Sequence, residues 1–313
     1  MRVLLANDAS AYSHAAADYL LAMPFRKPID LNIVSAVMPP TLIDSGTMGM
    51  PAELSMFVTE EQDAVKARVE ATAEQLEGPT HSIHTHVPIG SPSQELLVLA
   101  DSTGADLIVL GAVGHSAVER VLLGSVSDYV ATHADVTTLV VRPQRDSEVP
   151  PSLRKIVIAC SGGRNDARMV EWLRCFKFDH AVEIHLVRIL HLSTFYRQDV
   201  RAKASNYWIS LAKVARRQLL ELETTLQTMG LTTETHLIEA EHIGETLIDY
   251  AEEHGCDLIM TGDSDNGFLT RLVLGSTSRY VLRHATCSVL IVREKTEREA
   301  TQQPGDRESQ QVN

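Results

Sequence analysis

The sequence predicts an α/β protein of two tandem domains, each a five-stranded parallel sheet flanked by helices in a doubly wound, Rossmann-like order. Three observations carry this reading. First, the chain repeats itself: residues 106–142 match residues 257–293 at a constant offset of 151, with 16 of 37 positions identical and no gaps. Second, each half alternates short apolar runs with helical patterns, which requires right-handed crossovers and gives parallel strands. Third, 313 residues is about two domains' worth of chain, and with only 5% aromatic residues the core must be Val, Leu, Ile and Ala.

Taken in order, 2–6 is a short apolar strand, and Ser10 is placed to cap a helix over the Ala- and Leu-rich run behind it. A second strand, 29–37, stops at Pro39-Pro40, and 41–51, with Gly46, Gly49 and Pro51, is a loop. A long amphipathic helix follows at 52–76, then strand 83–87, helix 92–102, strand 106–110, helix 117–131 and strand 137–141. The second half repeats this order with strands 155–159, 182–189, 234–238, 257–260 and 288–292, and helices 166–175, 200–229, 245–254 and 268–283. The expected limits are 1–143 for the first domain, 144–153 for a proline-bearing linker, 154–294 for the second domain, and 295–313 for a disordered tail of Glu, Gln, Arg and Pro.

Charge and cysteine usage narrow the function classes. The net charge is −13, and the first half carries most of it, with eight Lys and Arg against 19 Asp and Glu through Glu148. An acidic chain with no basic stripe argues against nucleic acid and against anionic membrane surfaces as partners. Cys160, Cys175, Cys256 and Cys287 are far apart with no CxxC pair, which suits a reducing compartment and offers no zinc framework. The opening residues turn polar too soon for a signal peptide and no apolar run approaches a membrane span, so cytoplasm is the expected location.

The stretch most suited to ligand chemistry is Gly111-Ala112-Val113-Gly114, followed after nine residues by Gly124-Ser125-Val126-Ser127. A buried strand, a glycine turn and a helix start place backbone N–H groups where they can face an anion. A tight turn with close helix packing would demand the same glycines, so the pattern alone leaves both readings open. Asp8, at the end of the first strand, can accept from a sugar hydroxyl or a base N–H, or it can help cap the next helix. Ligands of doubly wound sheets sit at the carboxyl ends of the strands, and both segments fall on that edge.

Asp8 after strand one, Gly111-x2-Gly114-x9-Gly124-Ser125 after strand four, and the terminal strand Leu139-Val140-Val141-Arg142-Pro143 together resemble the universal stress protein family, in particular its ATP-binding branch. The resemblance covers nearly the whole chain as two tandem domains. It implies the adenine nucleotide alpha-hydrolase-like fold, with ATP or AMP as ligand and Mg or another divalent cation beside it. It implies that Ala6 and Asp8 face the adenosine, and that Ala36 or its neighbour Val37 lines the adenine pocket. Leu110, Gly111 and Gly114 would floor the ribose and phosphates. Gly124, Ser125, Val126 and Ser127 would donate to the phosphates, with His115 beside the loop. It also implies a sensing or regulatory role in stress rather than fast catalysis, and pairing of the two fifth strands as an internal pseudo-dimer, with a further homodimer open. The rivals are a slow ATPase or pyrophosphatase-type enzyme, and a nucleotide-free interaction protein.

The second half departs from the pattern. Ser161 stands where Asp8 does and Asp265 where Gly114 does, so ATP binding in the family manner is not expected there, although Gly267 could partly restore a turn. Ser161-Gly162-Gly163-Arg164-Asn165-Asp166 resembles the SGGxDS pyrophosphate loop of ATP-pyrophosphatases imperfectly, with Asn165-Asp166 where Asp-Ser should stand, and a glycine-rich turn before a helix is the expectation. His81, His84 and His86 crowd the third strand. Two imidazoles on one strand face can grip a metal, but no acidic or cysteine partner is near in sequence, so solvent-facing histidines are the expectation.

Overall fold

The computed structural model describes residues 1–39, 52–76, 80–114, 123–143, 153–178, 182–191, 198–263 and 274–294; the expected loop at 41–51, the linker core, His115, Asp265, Gly267 and the tail lie outside them. Ten strands form one continuous sheet in the order β3-β2-β1-β4-β5-β10-β9-β6-β7-β8. In the first half these are β1 (Arg2–Ala6), β2 (Ile29–Val34), β3 (Thr80–His86), β4 (Leu107–Gly111) and β5 (Thr137–Val141), with α1 (Ala11–Ala22), α2 (Ala52–Gln75), α3 (Pro92–Ser102) and α4 (Ser125–His133) between them. The second half holds β6 (Lys155–Ala159), β7 (Glu183–His191), β8 (Thr232–Ala240), β9 (Leu258–Gly262) and β10 (Ser288–Val292), with α5 (Arg164–Leu173), α6 (Gln198–Thr228), α7 (Ile243–Glu253) and α8 (Ser276–His284). Every pairing is parallel except β5 with β10.

The inner strands are buried on both faces because both faces are covered, whereas the edge strands β3 and β8 are polar and partly exposed. On β1, Val3 and Leu5 join the layer under α1, α2, α5 and α6, while Leu4 joins the layer under α3, α4, α7 and α8. All three are fully buried. Such strands read as unbroken Val/Leu/Ile runs rather than alternating ones. The carboxylates of Asp106 and Asp257, identical in the repeat, each accept a strand-start amide: Arg2 N at 2.8 Å and Lys155 N at 2.9 Å.

Several expected boundaries shift. The second strand ends at Val34 rather than Val37, because Ser35 and Val37 turn to bond His86 O and Pro88 O across to the third strand's exit. The seventh strand runs on to His191 because its neighbour β8 continues in register to Ala240. The fourth helix is described from Ser125, with Gly124 as its N-cap, and residues 117–122 of the expected 117–131 lie outside the described residues. Ser10 caps α1 as expected, its hydroxyl accepting Ser13 N at 3.1 Å.

The two halves are related by an internal twofold through the β5–β10 pair. Leu139 lies opposite Leu290, its own repeat equivalent. Around this axis the contacts are reciprocal, as in an isologous dimer interface. Arg142 N donates to Ser288 Oγ and Arg293 N to Thr137 Oγ1, both at 3.1 Å. Arg142 Nη2 reaches Leu282 O at the end of α8, and Arg293 Nη2 reaches Ala131 O at the end of α4, both at 2.6 Å. Each cation thus sits at the negative end of the other half's helix. On the far side Phe25 packs against Phe176 with the rings tilted at 44° and 5.5 Å between centroids, flanked by Arg26 N to Cys175 O and Lys177 N to Pro24 O.

Candidate functional site

At the carboxyl ends of β1 and β4, where neighbouring connections leave to opposite sides of the sheet, lies a cavity of about 340 Å³. Of the residues expected there, Ala6, Asp8, Ala36, Leu110, Gly111, Gly114, Gly124, Ser125, Val126 and Ser127 line it. Val37 does not. It is 5% exposed, packs into the core beneath α2 and pairs with Ile89, so Ala36 and Met38 face the cavity instead. Alternation along the extended segment sends 36 and 38 to one side and 37 to the other.

The β1–α1 loop presents Asp8. Asn7 is buried and holds the loop down: its amide nitrogen reaches Thr72 Oγ1 at 2.8 Å, and its Oδ1 accepts Ala9 N at 2.9 Å. Ala9 then takes φ +59°, an uncommon left-handed conformation for a residue with a side chain, and the chain doubles back. Asp8 Oδ1 accepts Ser10 N at 3.0 Å, while its Oδ2 lies 2.6 Å from the point a Cβ on residue 114 would occupy. Gly114 is therefore glycine because Asp8 stands directly over it.

Gly111 has a different reason. A Cβ there would lie 2.6 Å from the Tyr12 carbonyl carbon, so its missing side chain admits the backbone of α1 rather than a ligand. Gly124 N donates to Ala112 O at 2.8 Å and ties the two parts of the motif together. The first helical bond of α4 runs from Asp128 N to Gly124 O, so the amides of Ser125, Val126 and Ser127 have no partner within the helix. Ser127 is buried and its hydroxyl donates to Gly111 O at 2.7 Å, which corrects the expectation for the hydroxyl and leaves only its backbone amide to face a phosphate.

Comparison with known proteins settles what kind of chain this is. The sequence profile of the universal stress protein family matches residues 1–142 and again 152–293.

The chain belongs to the universal stress protein family.

A universal stress protein of Methanocaldococcus jannaschii is 31% identical over 147 residues, 45% of this chain and 81% of the relative. Among solved structures, a universal stress protein of Archaeoglobus fulgidus superposes with a TM-score of 0.60 at 19% identity, covering 93% of this chain and 96% of its own. A Pseudomonas aeruginosa protein described as functionally unknown does so with a TM-score of 0.60 at 14% identity, covering 94% and 92%. At these identities the structures speak for the fold.

In this universal stress protein the second half has its own cavity, about 460 Å³, at the matching edge and lined among others by Ser161, Asn165, Arg188, Asp263 and Ser276. Gly162 repeats the left-handed turn of Ala9 with φ +82°. The loop's amides at 161–163 are engaged from within the chain. Asp166 accepts Ser161 N at 2.8 Å through Oδ1 and Gly162 N at 2.7 Å through Oδ2, while Gly163 N goes to Ser161 Oγ at 3.2 Å. A buried carboxylate thus fills the cradle that a pyrophosphate loop would keep open, and burial raises its pKa. The structure supports the glycine-turn reading of this segment. Ser278 Oγ donates to Gly262 O at 2.7 Å, as Ser127 does in the first half.

His84 and His81 are exposed, but His86 is half-buried with Nε2 2.8 Å from Asn32 Oδ1, a contact the sequence did not signal. Burial raises all four cysteine pKa values, Cys256 to about 11 and Cys287 to about 12, so the thiols are poor nucleophiles. Among the described residues, no helix is long and apolar enough to cross a membrane.

Proposed function

We propose that the first half binds an adenine nucleotide, with a divalent cation on its phosphates, and that occupancy rather than turnover is the signal in a stress response. The observation that carries this is the convergence of Asp8, Gly114 and the start of α4 on one cavity. Asp8 accepts from the ribose hydroxyls. The backbone around Ala36 borders the base. The amides at 125–127 and the positive end of α4 take the phosphates. Among the described residues lining the cavity there is no Lys or Arg, so on that lining a triphosphate depends on amides, helix dipole and cation. The described lining contains no group poised as a general base toward a terminal phosphate, which favours retention over hydrolysis. The second half, with Ser161 for Asp8 and Asp265 for Gly114, does not share this ligand.

The test is native mass spectrometry of the purified chain, followed by calorimetry with Mg-ATP. Retained nucleotide, or one equivalent bound, supports the reading; neither refutes it. Gly114→Asp is expected to abolish binding, and unchanged affinity in that variant removes the phosphate assignment. Phosphate release above roughly 1 s⁻¹, at the low end for enzymes, would establish the enzymatic rival instead.

A further inference from the structure

A second candidate centre lies in the other half, toward the amino-terminal end of β7 and away from both cavities. His185 sits on β7 opposite Glu234 of β8, and His236 is two residues further along the same face. The two imidazoles are nearly parallel, at 10° with centroids 5.9 Å apart. Glu234 Oε2 lies between them, 3.3 Å from His236 Nε2 and 4.0 Å from His185 Nδ1. One ligand atom from each of the three residues falls within 4.8 Å of the others. Tetrahedral metal sites with bonds of about 2.0–2.2 Å have ligand–ligand edges of about 3.4 Å, so small side-chain adjustments close this triangle.

A second observation points the same way. His185 is 1% exposed, and its Nε2 is buried with no hydrogen-bond partner among the described residues. The nearest carboxylate, Glu183, is 3.7 Å from Nε2 and is held by Lys155 Nζ at 3.1 Å. That is the arrangement in which a histidine ligates through one nitrogen and gives its other N–H to a carboxylate. Nδ1 is at present 2.6 Å from the Tyr250 hydroxyl, which stacks on His254 at 3.9 Å. A metal on Nδ1 displaces that hydroxyl and draws Nε2–H toward Glu183, which would satisfy the orphaned donor.

The first half shows what the site looks like without its acid. The matching register positions are Asn32, His84 and His86, where Asn32 engages His86 and, among the described residues, no carboxylate completes a ligand cluster with them. In the second half His185 replaces Asn32 and Glu234 replaces His84.

We propose that His185, Glu234 and His236 form a binding site for a late first-row divalent transition metal of the zinc class, with the fourth position open to water. Imidazole donors with one carboxylate select such ions over Mg²⁺ or Ca²⁺. Glu234 and His236 are partly exposed, which gives the ion a path in. Binding would staple edge strand β8 to β7, and the stabilisation would grow with free metal. The inference is independent of the nucleotide reading.

The experiment uses the full chain stripped with a chelator and titrated with Zn²⁺ by calorimetry and with Co²⁺ by visible absorption. One equivalent is expected, with tetrahedral d–d bands and no thiolate charge-transfer band, and Mg²⁺ should not compete. Glu234→Gln and His236→Asn should each weaken binding by at least about tenfold, with the metal-free melting curve unchanged. His185→Asn, which installs the first half's residue, should remove the site. The paired control His84→Asn/His86→Asn should bind as the parent does. The proposal is overturned by no uptake at one equivalent, by uptake that survives Glu234→Gln and His236→Asn, or by loss in the first-half control.

Discussion

Two glycines of one motif turn out to answer to different neighbours, and a single methyl group separates them. A Cβ at 111 meets backbone of α1, which cannot move aside cheaply; Gly111→Ala is expected to cost about 1–3 kcal/mol of stability, read from the urea midpoint. A Cβ at 114 meets only the Asp8 Oδ2 end of a side chain. Gly114→Ala should leave stability nearly unchanged but turn the carboxylate away, weakening nucleotide about tenfold, the value of one hydrogen bond to a charged group. If Gly114→Ala unfolds the protein while Gly111→Ala is silent, the assignment of the two roles is wrong. The repeat teaches the same lesson. Asp106/Asp257, Gly111/Gly262, Ser127/Ser278 and Arg142/Arg293 are identical between halves, and each holds the fold together. Asp8/Ser161 and Ser35/Arg188, which differ, line the cavities beside the identical pairs Gly124/Gly275 and Ser125/Ser276.

Elements set the pH response. His86 on β3 and His185 on β7 are held neutral, their pKa values depressed below the ordinary 6.5, first by burial and, for His86, then by His84. The unfolded chain therefore binds more protons than the folded one as pH falls through 6.5 toward the folded values. Unfolding free energy should fall with decreasing pH across that window and level off above it. Replacing His86 by Asn should flatten the slope in urea titrations between pH 7 and pH 5; an unchanged slope would show that His86 does not titrate in this way. The start of α4 belongs to this scale too. Its N-cap is Gly124, which has no side chain to accept from the first turn, so the amides there stay available to a ligand.

At the scale of the molecule, the halves meet as two subunits would. β5 pairs with β10 about a local twofold, and each half's terminal arginine caps a helix of the other. A chain ending at residue 143 would expose β5 as an unpaired edge, and an edge seeks a partner. Such a half should be a β5–β5 homodimer in sedimentation, since Leu139 already faces its own equivalent. A stable monomer would mean that the junction is dispensable. In the intact chain, Arg142→Ala removes the cation at the end of α8 and should lower the melting temperature by several degrees, about 1–3 kcal/mol for a hydrogen bond to a charged group.

The sequence by itself determined the duplication, the strand–helix alternation and the edge of the sheet where a ligand can sit, because buried parallel strands and glycine turns leave unbroken local patterns. Only the tertiary structure decided which glycine serves a helix and which faces Asp8, that Val37 turns inward, that Ser127 spends its proton on Gly111, and that Asp166 closes the second half's loop. It also gathered His185, Glu234 and His236, which no spacing rule links. These are contacts between residues distant in sequence, and a linear pattern carries the propensity of each residue but not the neighbour it meets.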